Sequence, residues 1–101
     1  MNDETLRRRI SAIAAESWAS ESPRVVVTDH AKAQMKRRSI QPKQMYDVLI
    51  RGRVIEPAHR DIHGCWKCTL EYLTAGERVK VPAALCQAES HEIVVVITVI
   101  N

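Results

Sequence analysis

The chain has 101 residues, 46% hydrophobic and 27% charged, with only three Gly and four Pro, a composition that describes one globular domain and excludes a disordered tail. No apolar run nears the ~18 residues of a membrane span, and no apolar segment follows Arg7, Arg8 and Arg9, so neither a membrane protein nor a secretory signal is expected. The net charge of +3 is unevenly spread: residues 1–31 carry −1, residues 32–60 carry +6 and residues 61–101 carry −2.

Leu6, Ile10, Ile13 and Trp18, with Ala14 beside them, recur at near-helical spacing from Asp3 to Ala19. They predict a helix with one apolar face. Ser20-Glu21-Ser22-Pro23 ends it, because the residue before a proline avoids the helical region. Residues 1–24 thus read as an amphipathic helix and linker ahead of a domain over 25–101. The helix either covers the sheet of its own domain or serves docking and homodimer formation.

Val25-Val26-Val27 reads as a short strand or extended lead-in. Thr28 or Asp29 then caps a helix from His30 to about Arg38. At about 100° per residue, with His30 at zero, Gln34 falls near 40° and Arg37 near 340°, while Ala31 and Met35 fall near 100° and 140°. Ala31 and Met35 are the anchors, Lys32 and Lys36 face water, and His30, Gln34 and Arg37 form a polar stripe. Arg38 borders the apolar side, its stem placed for burial and its head for a structural partner.

Gln41 stands at a cap position and Pro42 at the first position of a second helix, where its missing N–H is not needed. Ile40 and Met45 form a hydrophobic staple, Met45, Val48 and Leu49 the buried stripe. Gly52 is placed to end this helix in the left-handed conformation.

The remainder reads as strands. Residues 53–56 stop at Pro57. Trp66, Cys68, Leu70 and Tyr72 alternate with Lys67, Thr69 and Glu71 in a half-buried strand, with Trp66 toward the core. Residues 74–77 turn, Val79-Lys80-Val81 resumes, and Pro82 suits an edge or a strand end. The β-branched run 93–100 is a continuous central strand. Helices followed by strands with short turns indicate an α+β domain, its N-terminal helices packed on a curved antiparallel sheet of about four strands.

The basic middle third attracts polyanions, RNA first. Metal-independent cleavage of RNA needs one group to take the 2′-hydroxyl proton, another to protonate the leaving oxygen, and cations on the phosphate. His30 titrates in the right range, Arg37 and Arg38 offer planar forks for phosphate oxygens, and Gln34, Lys43, Arg60 and Lys67 are the further RNA-binding candidates. His59 and His63 are auxiliary candidates if their segment faces His30. No cofactor is expected. A competing reading takes His59, His63, Cys65 and Cys68 as four zinc ligands, although Cys65 and Cys68 on one strand point to opposite faces. Three cysteines, an odd number, argue against a disulfide framework and for a reducing cytoplasm, with Cys86 in the core.

The stretch 28–52, TDHAKAQMKRRSIQPKQMYDVLIRG, resembles a bacterial family of small domains that opens roughly His-Ala-x-x-Arg-Met-x-x-Arg-Gly-Ile and continues into a helix ending in Gly. RVIEPAHRDIHGCWKCTLEY and the closing EIVVVITVIN also resemble its strands. His30, Ala31, Met35, Arg38, Ile40, Gly52, Gly64 and Thr98 match, whereas Gln34 stands where that family has arginine and Ser39 where it has glycine. The family is similar in layout to the RelE/ParE superfamily of toxin–antitoxin systems. The resemblance implies a cytoplasmic toxin-like domain, an endoribonuclease partnered by an antitoxin. The alternative is a non-catalytic module of the same fold that inhibits a protein target.

Overall fold

Hydrophobic spacing and caps translate into eight elements in the computed structural model, which describes residues 1–20 and 23–101: α1 (Asp3–Ala19), β1 (Val25–Val27), α2 (Asp29–Arg37), α3 (Pro42–Arg51), β2 (Arg53–Arg60), β3 (Trp66–Thr74), β4 (Glu77–Gln87) and β5 (Glu92–Val96). The architecture is α+β as expected, but the sheet has five strands in the order β1-β5-β4-β3-β2, and β1 runs parallel to β5. The sheet is therefore mixed. The expected stop of the first helix falls partly on Glu21 and Ser22, outside the described residues; Ser20 is already extended (φ −108°, ψ 153°).

Each helix begins on a side-chain cap. Asn2 Oδ1 accepts from Thr5 N at 2.8 Å, Thr28 Oγ1 from Ala31 N at 3.1 Å, and Gln44 Oε1 reaches back to Gln41 N at 2.8 Å. One core contains Leu6, Ile10, Ile13 and Ala14 of α1, Ala31 and Met35 of α2, Met45, Val48 and Leu49 of α3, and the inward residues of the strands. A fully buried side chain such as Leu6, Leu49 or Leu70 contributes about 1.5–3 kcal/mol, so α1 is part of the domain's own hydrophobic interior. Trp18, expected on its apolar face, is 53% exposed, and Ser17 takes the buried place. Counted from Leu6 at about 100° per residue, Ser17 lies near the centre of the stripe at ~20° and Trp18 at its border at ~120°. Trp18 instead packs on Tyr46, ring centroids 4.9 Å apart.

The left-handed conformation expected of Gly52 occurs elsewhere. Gly52 is extended (φ −70°, ψ 160°); a Cβ there would meet Val48 O at 2.3 Å and Glu71 O at 3.2 Å, so close approach is what requires glycine. Ser39 carries the positive φ, +56°. It closes α2 with Ile40 N bonded to Met35 O at 2.9 Å and Ser39 N to Lys36 O at 3.3 Å, the pair of bonds that defines a Schellman cap.

Three strand expectations are corrected. β2 does not stop at Pro57; it is an edge strand with register shifts between Val54 and Glu56 and between Glu56 and His59, and edges and bulges tolerate proline. Pro82 lies inside β4, a central strand, where Ala83 pairs with Val96 but Lys80 pairs with Ile100, a register change of one residue. The run 93–100 is accordingly interrupted after Val96. The extra residue sits opposite Pro82, which has no N–H to give a neighbour.

Candidate functional site

Cross-strand pairing fixes which side chains share a face. Trp66, Leu85, Val94 and Val25 form one row, with Arg60 paired to Trp66 at its end, and this row faces the helices, since Leu85, Val94 and Val25 are in the core. His59, Lys67, Ala84, Val95 and Val26 form the adjacent row on the outer face. Arg60 and Lys67, expected to assist one site, thus point to opposite sides of the sheet. Arg60 lies over the Trp66 ring at 5.7 Å, and half-buried Trp66 packs against the core as expected.

On the outer face a cavity of about 230 Å³ is lined by Glu56, His59, Lys67, Cys68, Thr69, Pro82 and Ile97. The bulges of β2 set Glu56 opposite Thr69, whose hydroxyl donates to Glu56 Oε1. His59 Nδ1 lies 3.3 Å from the Pro57 carbonyl. A carbonyl only accepts, so in neutral His59 Nδ1 carries the proton and Nε2 keeps the lone pair. Lys67 Nζ is 3.7 Å from Asp61 Oδ2. Burial of the Asp61 carboxyl opposes its ionisation, but the backbone N–H groups of Cys65 and His63, together with Lys67, outweigh this and hold its pKa below the ordinary value. The cavity therefore gathers a carboxylate, an oriented imidazole and an ammonium group.

The N-terminus of α2 begins at the rim of this cavity, because Thr28 Oγ1 donates to the carbonyl of Ile97 at 3.1 Å. His30 is exposed, has no hydrogen-bond partner among the described residues and does not line the cavity. Arg38 Nε donates to Gln34 Oε1 at 3.0 Å and its Nη1 to Asn101 Oδ1 at 3.2 Å, which ties Arg38 to the neighbouring Gln34 of the stripe.

Most of the other cations lie in ion pairs. Arg7 and Arg8 bind Glu4, Arg9 binds Glu92, Arg24 binds Glu16, Lys43 and Arg51 share Asp47, and Arg53 and Arg78 share Glu71. Glu4 is held down to about 2, chiefly by its hydrogen bond from Arg7. On α2 the exposed Lys32, Lys36 and Arg37 have no carboxylate partner among the described residues. Arg38, Arg60 and Lys80 also lack one, but α2 gathers three such cations against one acid, Asp29 in its first turn.

The zinc reading is not realised. Cys65 is joined to Cys86, their Cα atoms 4.6 Å apart, which also corrects the expectations of no disulfide and of a core Cys86: an odd count excludes only complete pairing. Cys68 is the free cysteine, buried, its thiol pushed up to about 11 by burial and by the Asp3 charge. Among the described residues no group of three or more His, Cys, Asp or Glu is placed to hold a metal ion, and no helix is long and apolar enough to cross a membrane.

Sequence reasoning undervalued Glu56 and His59, because Pro57 between them read as the end of a strand rather than a bulge within it. A family model described as Domain of unknown function (DUF4258) matches residues 27–101, leaving α1 outside the match. No curated protein and no solved structure matches the chain.

Proposed function

The chain belongs to the Domain of unknown function (DUF4258) family, and from that premise we propose that it is an RNA-binding, toxin-like domain of a toxin–antitoxin pair that cleaves RNA without a metal ion. The observation that carries this reading is the positive charge of α2, where Lys32, Lys36 and Arg37 have no carboxylate partner among the described residues and outnumber Asp29 three to one. Clustered unpaired cations create the field that draws a phosphate backbone to a surface.

The chemistry is best served by the cavity at the end of that helix. Cleavage joins the 2′-oxygen to the adjacent phosphorus and expels the 5′-oxygen, leaving a 2′,3′-cyclic phosphate and a 5′-hydroxyl. His59 Nε2, with its partner nitrogen fixed on the Pro57 carbonyl, takes the 2′-hydroxyl proton. Lys67 neutralises charge building on the phosphate. His30, in the first turn of α2, protonates the leaving oxygen, and Arg37 holds the neighbouring phosphate. The resemblance to the RelE/ParE layout supports the antitoxin partner.

The test is cleavage of a labelled RNA oligonucleotide in the presence of EDTA. His59→Ala is expected to lower the rate by about 10²–10⁴. The Lys32, Lys36 and Arg37→Gln triple variant is expected to weaken binding and to reduce the log–log salt slope by roughly 2–3, at about 0.7–0.9 per phosphate contact. RNA neither bound nor cut by the native protein would end this reading. A non-catalytic module that inhibits a protein target is favoured by the exposed Trp18 on Tyr46 and by Leu73, 60% exposed. Growth inhibition that persists in His59→Ala would select it.

A further inference from the structure

A second charged site lies on the outer face, about 13 Å along β3 from Lys67, counting four residues at ~3.3 Å each. Glu71 is 7% exposed and its Oε1 accepts from Arg53 Nη2 at 3.2 Å and Arg78 Nη1 at 2.9 Å. These three residues line a cavity of about 310 Å³ together with Arg51, Tyr72 and Leu73. Gly52 makes the convergence possible. With no Cβ, it lets the end of α3 press against the Glu71 backbone, so that Arg51, the last residue of the helix, and Arg53, the first of β2, flank one hollow.

A guanidinium has five N–H donors. Each of these arginines commits part of its fork to a carboxylate, Arg51 Nη1 to Asp47 Oδ1 at 3.1 Å and the other two to Glu71, while the side chains remain 55%, 74% and 59% exposed for Arg51, Arg53 and Arg78. The forks are thus held in place with donors still facing solvent, which lowers the ordering cost of binding. The three guanidinium groups are held by two carboxylates, Glu71 in the lining and Asp47 behind Arg51, so the hollow keeps a net positive charge. Tyr72 and Leu73 supply an apolar wall beside them.

We infer that the Arg51, Arg53 and Arg78 hollow is a binding site for a phosphate dianion, taken either as free phosphate or as the terminal phosphomonoester of a nucleotide. Planar forks match phosphate oxygens bidentately, and three converging forks suit the three free oxygens of a terminal phosphate better than the two of a phosphodiester. The site does not depend on the reading of α2.

The experiment titrates the full-length protein with inorganic phosphate, uridine 5′-monophosphate, uridine and dimethyl phosphate, following the arginine Nε–Hε signals by NMR. Saturable shifts at Arg53 and Arg78 with inorganic phosphate are expected, with dimethyl phosphate at least tenfold weaker. Tighter binding of the monophosphate than of free phosphate supports the site with a nucleotide end as its source. Equal binding supports it with free phosphate as the source. The Arg53→Gln, Glu71→Gln, Arg78→Gln triple variant removes the triad without stranding a buried charge and is expected to lose at least tenfold in affinity. If that variant fails to fold, Arg53→Lys with Arg78→Lys keeps the charges on Glu71, removes the forks and is expected to weaken binding severalfold. No saturable shift with either phosphate, dimethyl phosphate as tight as phosphate, or undiminished binding in the folded variants would overturn the assignment.

Discussion

Ser39→Gly is expected to stabilise the protein. Ser39 adopts φ +56° at the end of α2, a conformation that brings the Cβ of an L-residue too close to the following carbonyl and costs about 1–2 kcal/mol. Glycine removes that clash but loses roughly 0.5–1 kcal/mol more conformational freedom on folding. The net gain is therefore about 0.5–1 kcal/mol, or roughly 2–8 °C in Tm for a domain of this size. Ser39 is exposed and its side chain has no hydrogen-bond partner among the described residues, so nothing is lost with the hydroxyl, and the backbone bonds of Ser39 and Ile40 to Lys36 and Met35 are kept. Urea unfolding of the native protein, Ser39→Gly and Ser39→Ala measures the effect, with Ser39→Ala retaining the Cβ and gaining nothing. An unchanged or lowered midpoint in Ser39→Gly, or an equal rise in Ser39→Ala, would refute the reasoning.

Gly52→Ala is expected to destabilise by about 1–3 kcal/mol, read as a lower urea midpoint, because the added carbon meets two backbone oxygens, from Val48 and Glu71, rather than a flexible side chain; an unchanged midpoint would contradict the close approach. The hydrogen bonds from Arg78 and Arg53 hold the Glu71 carboxyl below the ordinary carboxylate range. With its folded pKa depressed, the stability Glu71 lends is fully present above the unfolded value of about 4.3 and is lost as pH falls through the folded one. Urea midpoints between pH 7 and pH 2.5 are therefore expected to fall less steeply below about pH 4.3 in Glu71→Gln than in the native protein, and parallel curves would remove Glu71 from the account.

The helices were legible because their signals are local. Apolar spacing marks α1, and Thr28 and the Gln41-Pro42 pair announce the starts of α2 and α3 within a turn. Strand signals are not local. Pro57 and Pro82 read as stops, yet an edge position spares one and an interruption in the facing strand spares the other. The parallel seat of β1 on β5 depends on residues almost seventy positions apart. The same holds for the site. The sequence shows a basic middle third but not which cations find carboxylates, and it shows Arg60 and Lys67 seven residues apart but not that the turn between them pairs Arg60 with Trp66 and so sends Arg60 and Lys67 to opposite faces. His59 shares a cavity with Glu56 only because β2 is bulged between them.

The seat of β1 has a temporal meaning as well. Val25–Val27 pair only with Val94–Val96, and Thr28 finds its acceptor on Ile97. Until residues 94–97 are made, β1 and the Thr28 cap of α2 lack these partners, and α2 is held through Ala31 and Met35 in the core. Forming so distant a pairing is intrinsically slow, so any activity that needs both the positive helix and the hollow beside it waits on that pairing.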